Sequence, residues 1–284
     1  MALDFEKLFE QFTKHRKYVN NYSENTIKTY RWAWKLWREL LATSEITKPL
    51  SIEFIVRMRE KGISPASCNV YLKAMNGFFM WLAEFEYIEP FKIKHLKAPQ
   101  KIIEPLLDET VKKLVQWKPK KYTEHRLHTL VCLLLDSGLR INEALTLRLE
   151  DIDWDNLLIR VDGKGNKQRL VPFSVECRKI LYRFTSKKHS FDIVFPTHQG
   201  DLCSYRNTWR DLQNLFDRLC IPRAGLHAFR HTFARNYLRQ GGNLFYLSRA
   251  MGHTNLSVTR RYVKIETEDL QREQHRTSIL NRIR

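Results

Sequence analysis

Apolar residues recur at helical spacing through the first third of the chain. Phe5, Leu8, Phe9 and Phe12 form one stripe. Ser23 is an N-cap type residue ahead of a second helix whose apolar face is Ile27, Tyr30, Trp34, Trp37 and Leu41. A third helix is expected from Ser51 to a stop at Gly62. A fourth follows Ser64-Pro65, a cap and a first-turn proline, and is expected to bury Tyr71, Leu72, Met75, Phe78, Phe79 and Leu82. Between Lys92 and Pro105 the periodicity lapses. Lys92, Lys94, His95, Lys97 and Lys101 interleave there with Pro99 and Pro105, which suits an extended, exposed connection. Beyond it the pattern is mixed. Leu127, Leu130, Val131 and Leu134 mark a buried helix ending at Gly138. Residues 157–161 and 169–173 read as strands joined across a turn that holds Gly163, Gly165 and Asn166. Trp209, Leu212, Phe216 and Leu219 mark a further amphipathic helix, and helices continue to the end. The expected fold is mainly α: a helical bundle over residues 1–98, a linker over 99–105, and a mixed α+β domain over 106–284 with a small antiparallel sheet.

Composition narrows the partners. Lys and Arg number 49 against 31 Asp and Glu, a formal charge of +18 in 284 residues. Residues 1–98 carry a net +5 and residues 99–284 a net +13. With 43% hydrophobic residues, 7 Trp, 11 Tyr and 16 Phe, the chain is too apolar to be a disordered basic tail. No apolar run approaches the ~18–20 residues of a membrane span, and no leader is visible at Met1-Ala2-Leu3-Asp4. The five cysteines (Cys68, Cys132, Cys177, Cys203 and Cys220) form no C-x-x-C pair, so reduced thiols are expected, with Cys68 and Cys132 in the core. A cytoplasmic protein with a polyanionic partner, nucleic acid above all, is the expectation.

Four segments carry chemistry-bearing residues. They are Ser137-Gly138-Leu139-Arg140-Ile141-Asn142-Glu143-Ala144-Leu145, the Gly163-Lys164-Gly165 turn, Leu226-His227-Ala228-Phe229-Arg230-His231, and Met251-Gly252-His253 with Tyr262 nine positions later. Singly each is commonplace: an Arg after a helix is usually a cap or a surface charge, and a Lys in a turn is usually solvated. In this order and at these gaps they resemble the tyrosine recombinase (phage integrase) family. Its signature of Arg, Lys, His-x-x-Arg, His and Tyr matches Arg140, Lys164, His227, Arg230, His253 and Tyr262. The compact two-domain Xer-like form is the nearest type, and transposon-encoded resolvases and integrases share its build. The resemblance spans essentially the whole chain and implies a SAM-like core-binding domain followed by a catalytic domain. Lys264, where many relatives carry His, and Asn142 and Met251, where Ser and Leu are common, remove no chemical group from the signature.

The chemistry is consistent with that resemblance. Phosphodiester cleavage needs a nucleophile, stabilisation of charge on the phosphoryl oxygens and a proton for the leaving alkoxide. Tyr262 is the expected nucleophile; a tyrosine pKa near ~10 requires activation. Arg140 and Arg230 offer guanidinium forks matched to phosphate, with His253 assisting at a non-bridging oxygen. His227 is expected to exchange the tyrosine proton, and Lys164 to protonate the departing 5′-oxygen. His227 and His231 share zinc-compatible i, i+4 spacing, but Ala228 stands where the H-E-x-x-H pattern requires Glu. The acidic run Glu150, Asp151, Asp153, Asp155 reads as an ordinary turn, and no phosphate-binding G-x-x-x-x-G-K-S/T loop exists. No metal or cofactor is expected.

The resemblance further implies double-stranded DNA recombination sites as partner, a tetramer on two sites passing through a Holliday junction, and a C-terminal helix (about 266–284) passed between protomers. Lys28, Arg31, Lys35 and Arg38 form a basic stripe on the second helix that is a candidate for phosphate contact. A type IB-like topoisomerase shares the chemistry without synapsis, and a non-catalytic architectural DNA-binding protein shares the charge; these are the alternatives.

Overall fold

The computed structural model describes residues 3–99, 104–162, 168–186 and 191–252. The chain divides into two compact units, Met1–Lys101 and Ile102–Arg284.

In the first unit, α1 (Phe5–Lys14) is capped by Asp4, whose carboxylate accepts the Lys7 N–H, and it widens into a π-helical turn over His15–Val19. α2 (Glu24–Leu41) starts where expected, with Ser23 accepting the Thr26 N–H. It buries Ile27, Trp34, Trp37 and Leu41, while Tyr30 is half-buried. α3 (Lys48–Glu60) begins three residues before Ser51. Thr47 caps it, Pro49 sits in its first turn, and Ser51 lies inside the helix, its hydroxyl donating to the Lys48 carbonyl at 2.6 Å. α4 (Pro65–Glu84) starts at the Ser64 cap and buries Leu72, Met75, Phe78, Phe79 and Leu82, with Tyr71 at its margin. Aromatic edges and faces fill the centre: Phe78 stands 5.1 Å from both Phe9 and Phe12, ring centroid to centroid.

The basic segment after α4 is less free than its composition suggests. Asn76 donates to the Ile93 carbonyl (2.9 Å) and accepts the Ile93 N–H (2.8 Å). Two helical turns earlier, Asn69 does the same to Leu96 at 2.9 and 2.8 Å. Each side-chain amide thus reads one backbone unit as a neighbouring strand would. The chain is held against α4, Ile93 enters the core, and Lys92, Lys94, His95 and Lys97 stay exposed.

The second unit is built on α6 (Tyr122–Ser137), preceded by α5 (Asp108–Gln116) and packed against α8 (Val175–Thr185), α9 (Tyr205–Arg218) and α10 (Leu226–Arg239). Its Leu130, Leu133 and Leu134 lie in one core with Phe195, Phe216 and Phe229. Short α7 (Ile141–Leu145) leads into a three-stranded antiparallel sheet of β1 (Ile152–Asp153), β2 (Leu158–Asp162) and β3 (Gln168–Pro172). In the hairpin, Ile159 pairs with Val171 and Asp162 with Gln168. Ile159, Val161 and Val171 face the core, as the alternation requires. On α9 the buried face is Thr208, Leu212, Leu215 and Phe216; Trp209, expected on it, is rotated out and 44% exposed. α11 (Leu244–Ala250) closes the described chain, capped by Asn243.

Gly138 ends α6 in the left-handed region at φ +65, and a Cβ there would lie 2.2 Å from the Phe233 ring of α10. Both the turn and the approach of α10 therefore require glycine. Gly138→Ala is expected to destabilise the second unit by roughly 2–3 kcal/mol, read as a lowered urea midpoint in equilibrium unfolding.

Candidate active site

The turn at Gly138 delivers Arg140 to the N-cap of α7. Three residues on, Glu143 reaches back. One carboxylate oxygen accepts the Arg140 backbone N–H at 2.8 Å, and the other accepts its guanidinium at 2.8 Å. The far end of the Arg140 guanidinium donates to the Gly252 carbonyl at 3.3 Å. Its side chain stays 39% exposed, open to a ligand on its outer side.

Arg230 arrives from α10 and is buried. Its guanidinium donates to the Gly138 carbonyl at 2.7 Å and to the Met251 carbonyl. Arg169, on β3, grips both oxygens of Glu143 at 3.0 and 2.7 Å and donates its Nε–H to the Ala250 carbonyl at 2.9 Å. Three consecutive carbonyls at the end of α11 thus accept from three arginines of three different elements. A helix C-terminus is where unpaired carbonyls and partial negative charge attract cations. Among the described residues the cluster holds three guanidinium charges against the one carboxylate of Glu143, a net excess of positive charge suited to an anion. His227 lies on the first turn of α10, exposed, one turn before Arg230.

Burial alone would raise the Glu143 carboxyl, but hydrogen bonds from Arg169 and Arg140 outweigh it and hold the group below its ordinary 4.5. A depressed pKa contributes stability that is present above 4.5 and lost as pH falls through the lower folded value. Wild type and Glu143→Gln are therefore expected to differ in melting temperature most near ~pH 7 and to converge progressively as pH falls below 4.5, as read by thermal melts across that range.

Lys164, His253 and Tyr262 lie outside the described residues, as does the segment 266–284. Sequence reasoning singled out the segment that holds Glu143 but assigned neither Glu143 nor Arg169 a role. Glu143 had a local signal, an acidic residue three positions after an N-cap, whereas Arg169 pairs 26 positions away and had none. The basic stripe of α2 is exposed along its length, but Arg38 is paired with Glu6, and Lys35 lies 3.6 Å from Glu39. Lys28 and Arg31 are exposed beside Glu24, whose carboxyl they help to lower after the larger effect of Lys17. Among the described residues no three His, Cys, Asp or Glu side chains converge as a metal site would require. Cys68 and Cys132 are buried, as expected, and burial pushes the Cys132 thiol up to about 12. No helix among the described residues is long and apolar enough to cross a membrane.

The fold agrees with what comparison with known proteins finds. The model of the phage integrase family matches residues 104–269, and that of the phage integrase N-terminal SAM-like domain matches residues 9–85. Tyrosine recombinase XerA of Thermococcus onnurineus is 30% identical over 263 residues, covering 91% of each chain. XerA of Pyrococcus furiosus is 27% identical over 282 residues, covering 98% of this chain and 96% of its own. Among solved structures, the Tn1549 transposon integrase in complex with a circular intermediate DNA superposes with a TM-score of 0.77 at 18% identity, covering 95% of this chain and 99% of that one. XerH recombinase bound to a palindromic difH substrate gives 0.71 at 22%, covering 98% and 85%. At those identities the structures speak to the fold, which is the mainly helical integrase fold with its small antiparallel sheet. The chain belongs to the phage integrase family. It is a tyrosine recombinase, an enzyme that cleaves and rejoins DNA, and neither the topoisomerase nor the architectural alternative is favoured.

Proposed function

We propose that this chain recombines double-stranded DNA at specific sites, with Tyr262 attacking the scissile phosphate to leave a 3′-phosphotyrosyl link and a free 5′-hydroxyl. The observation that carries this reading is the convergence of Arg140, Arg230 and Arg169 on the three carbonyls that precede His253 in the chain. Arg140 and Arg230 are assigned to the phosphoryl oxygens, where fixed cationic donors stabilise the charge that builds in the transition state. Their backbone bonds orient them before DNA arrives, so little reorganisation accompanies the reaction. His253 is assigned to a non-bridging oxygen and His227 to the tyrosine proton. Lys164, which falls between β2 and β3 in the sequence, is assigned to protonate the leaving 5′-oxygen. The covalent phosphotyrosine preserves the energy of the broken bond for religation, so the reaction draws on no metal or cofactor.

In this reading residues 1–98 bind DNA as the core-binding domain, residues 106–284 carry the chemistry, and 99–105 connect them. Lys28 and Arg31 are the leading phosphate contacts of α2; Lys35 and Arg38 must first give up their carboxylate partners. Four protomers act on two sites through a Holliday junction, linked by exchange of the helix at 266–284, in the cytoplasm of a bacterium or archaeon.

Covalent capture tests the proposal. The protein is incubated with genomic DNA of the organism that encodes it, quenched in SDS, and the attached fragments are sequenced. Fragments gathered at one or a few inverted-repeat sites are the expected result. Fragments scattered without a common sequence would instead indicate a topoisomerase-like activity.

A further inference from the structure

The recombinase reading gives Arg140 a task but leaves open what aims it. Glu143 cannot do so alone. An unopposed carboxylate 2.8 Å from the Arg140 guanidinium would draw that charge to itself and compete with the phosphate. We propose that Arg169 is a positioning residue for DNA cleavage: by gripping both oxygens of Glu143 and the end of α11, it keeps Arg140 aimed and available to the scissile phosphate.

Three observations carry this. First, the Arg169–Glu143 pair is bidentate, and both side chains are only 11% exposed, so the pair is rigid and little screened by water. Second, the Nε–H of Arg169 bonds the Ala250 carbonyl, two residues before the carbonyl that Arg140 holds, so a single guanidinium spans α7 and α11. Third, α11 runs out into Gly252 at φ +62, where a Cβ would come within 3.0 Å of the Arg169 side chain, so the chain is fitted closely around it. Arg169 also lies one residue inside the hairpin stem, whose last pair is Asp162 with Gln168. Lysine could not replace it, because one ammonium cannot span two carboxylate oxygens and a carbonyl.

The inference rests on the proposed roles of Arg140 and Tyr262, and its test separates the two. A nicked duplex carrying a captured site is made with either a normal scissile phosphodiester or a methylphosphonate, which lacks the non-bridging charge that Arg140 is assigned to meet. Arg169→Ala is expected to slow covalent cleavage of the diester on the order of 10–100-fold. It should leave DNA affinity within ~2-fold, because binding draws on many phosphate contacts. On the methylphosphonate the variant should cleave within ~3-fold of wild type, since the group it mis-aims is no longer needed. Arg169→Lys is expected to show the same substrate-dependent defect and serves where Ala unfolds the domain. An equal slowing of both substrates, or no slowing of either, would overturn the positioning role while leaving the recombinase reading intact. Wild-type protein that cleaves neither would overturn both.

Discussion

Arg230→Ala is expected to slow DNA cleavage by on the order of 10²–10³-fold, the usual cost of losing one fixed donor to a charge that develops in the transition state. The loss should exceed that of most surface arginines for a structural reason. Arg230 is buried, and its guanidinium ties the Gly138 carbonyl, before Arg140, to the Met251 carbonyl, before His253. Alanine removes the proposed phosphate ligand, uncouples the two segments that carry the proposed ligands Arg140 and His253, and strands two carbonyls in a low-dielectric interior. That last effect alone should cost about 2 kcal/mol or more of stability. Arg230→Lys keeps the charge but has no planar fork to span both carbonyls, so its cleavage rate is expected to fall nearly as far. Rates measured well below the melting temperature of each variant separate the catalytic loss from the structural one.

The other large effect is expected at Tyr262. Tyr262→Phe removes one oxygen and no charge, so affinity and its salt dependence should match wild type. Cleavage should nevertheless vanish, because phenylalanine offers no nucleophile and an arginine cluster stabilises only charge that an attack creates. A gel shift with normal affinity, beside an SDS gel with no retained DNA, is the expected pair of results. A persistent SDS-resistant adduct in this variant would move the nucleophile to another residue.

Much of the fold was legible because its signals are local. Ser23 and Ser64 announced α2 and α4 as caps, and Gly138 announced the end of α6. The alternation of Ile159 and Val161 against Val171 placed the hairpin within one residue at each end. The start of α3 was missed because Thr47-Lys48-Pro49 carries no apolar period and shows only cap chemistry. β1, two residues long, is too short to have a period at all. Trp209 was misplaced because a large aromatic dominates a helical stripe read by hydrophobicity, whereas the buried face also uses Thr208.

The site was legible in part for a related reason. Arg140, His227 and Arg230 stand in short motifs, so residue type and spacing singled them out. What fixes two of them does not. The Arg230 bond to Gly138 spans 92 positions and the Arg140 bond to Gly252 spans 112, contacts made only when α6, α7, α10 and α11 fold together. Their acceptors are backbone carbonyls, which carry no residue signature.

The central claim is that a tyrosine joins covalently to a 3′-phosphate while this cluster holds the phosphoryl group. Trapping wild-type protein on a nicked site, digesting with trypsin and nuclease, and sequencing the nucleotide-bearing peptide by mass spectrometry tests it most directly. The account predicts a 3′-phosphonucleotide on the peptide Tyr262-Val263-Lys264, which trypsin frees after Arg261 and after Lys264. A nucleotide on any other residue, or a 5′-phosphate on Tyr262, would contradict it.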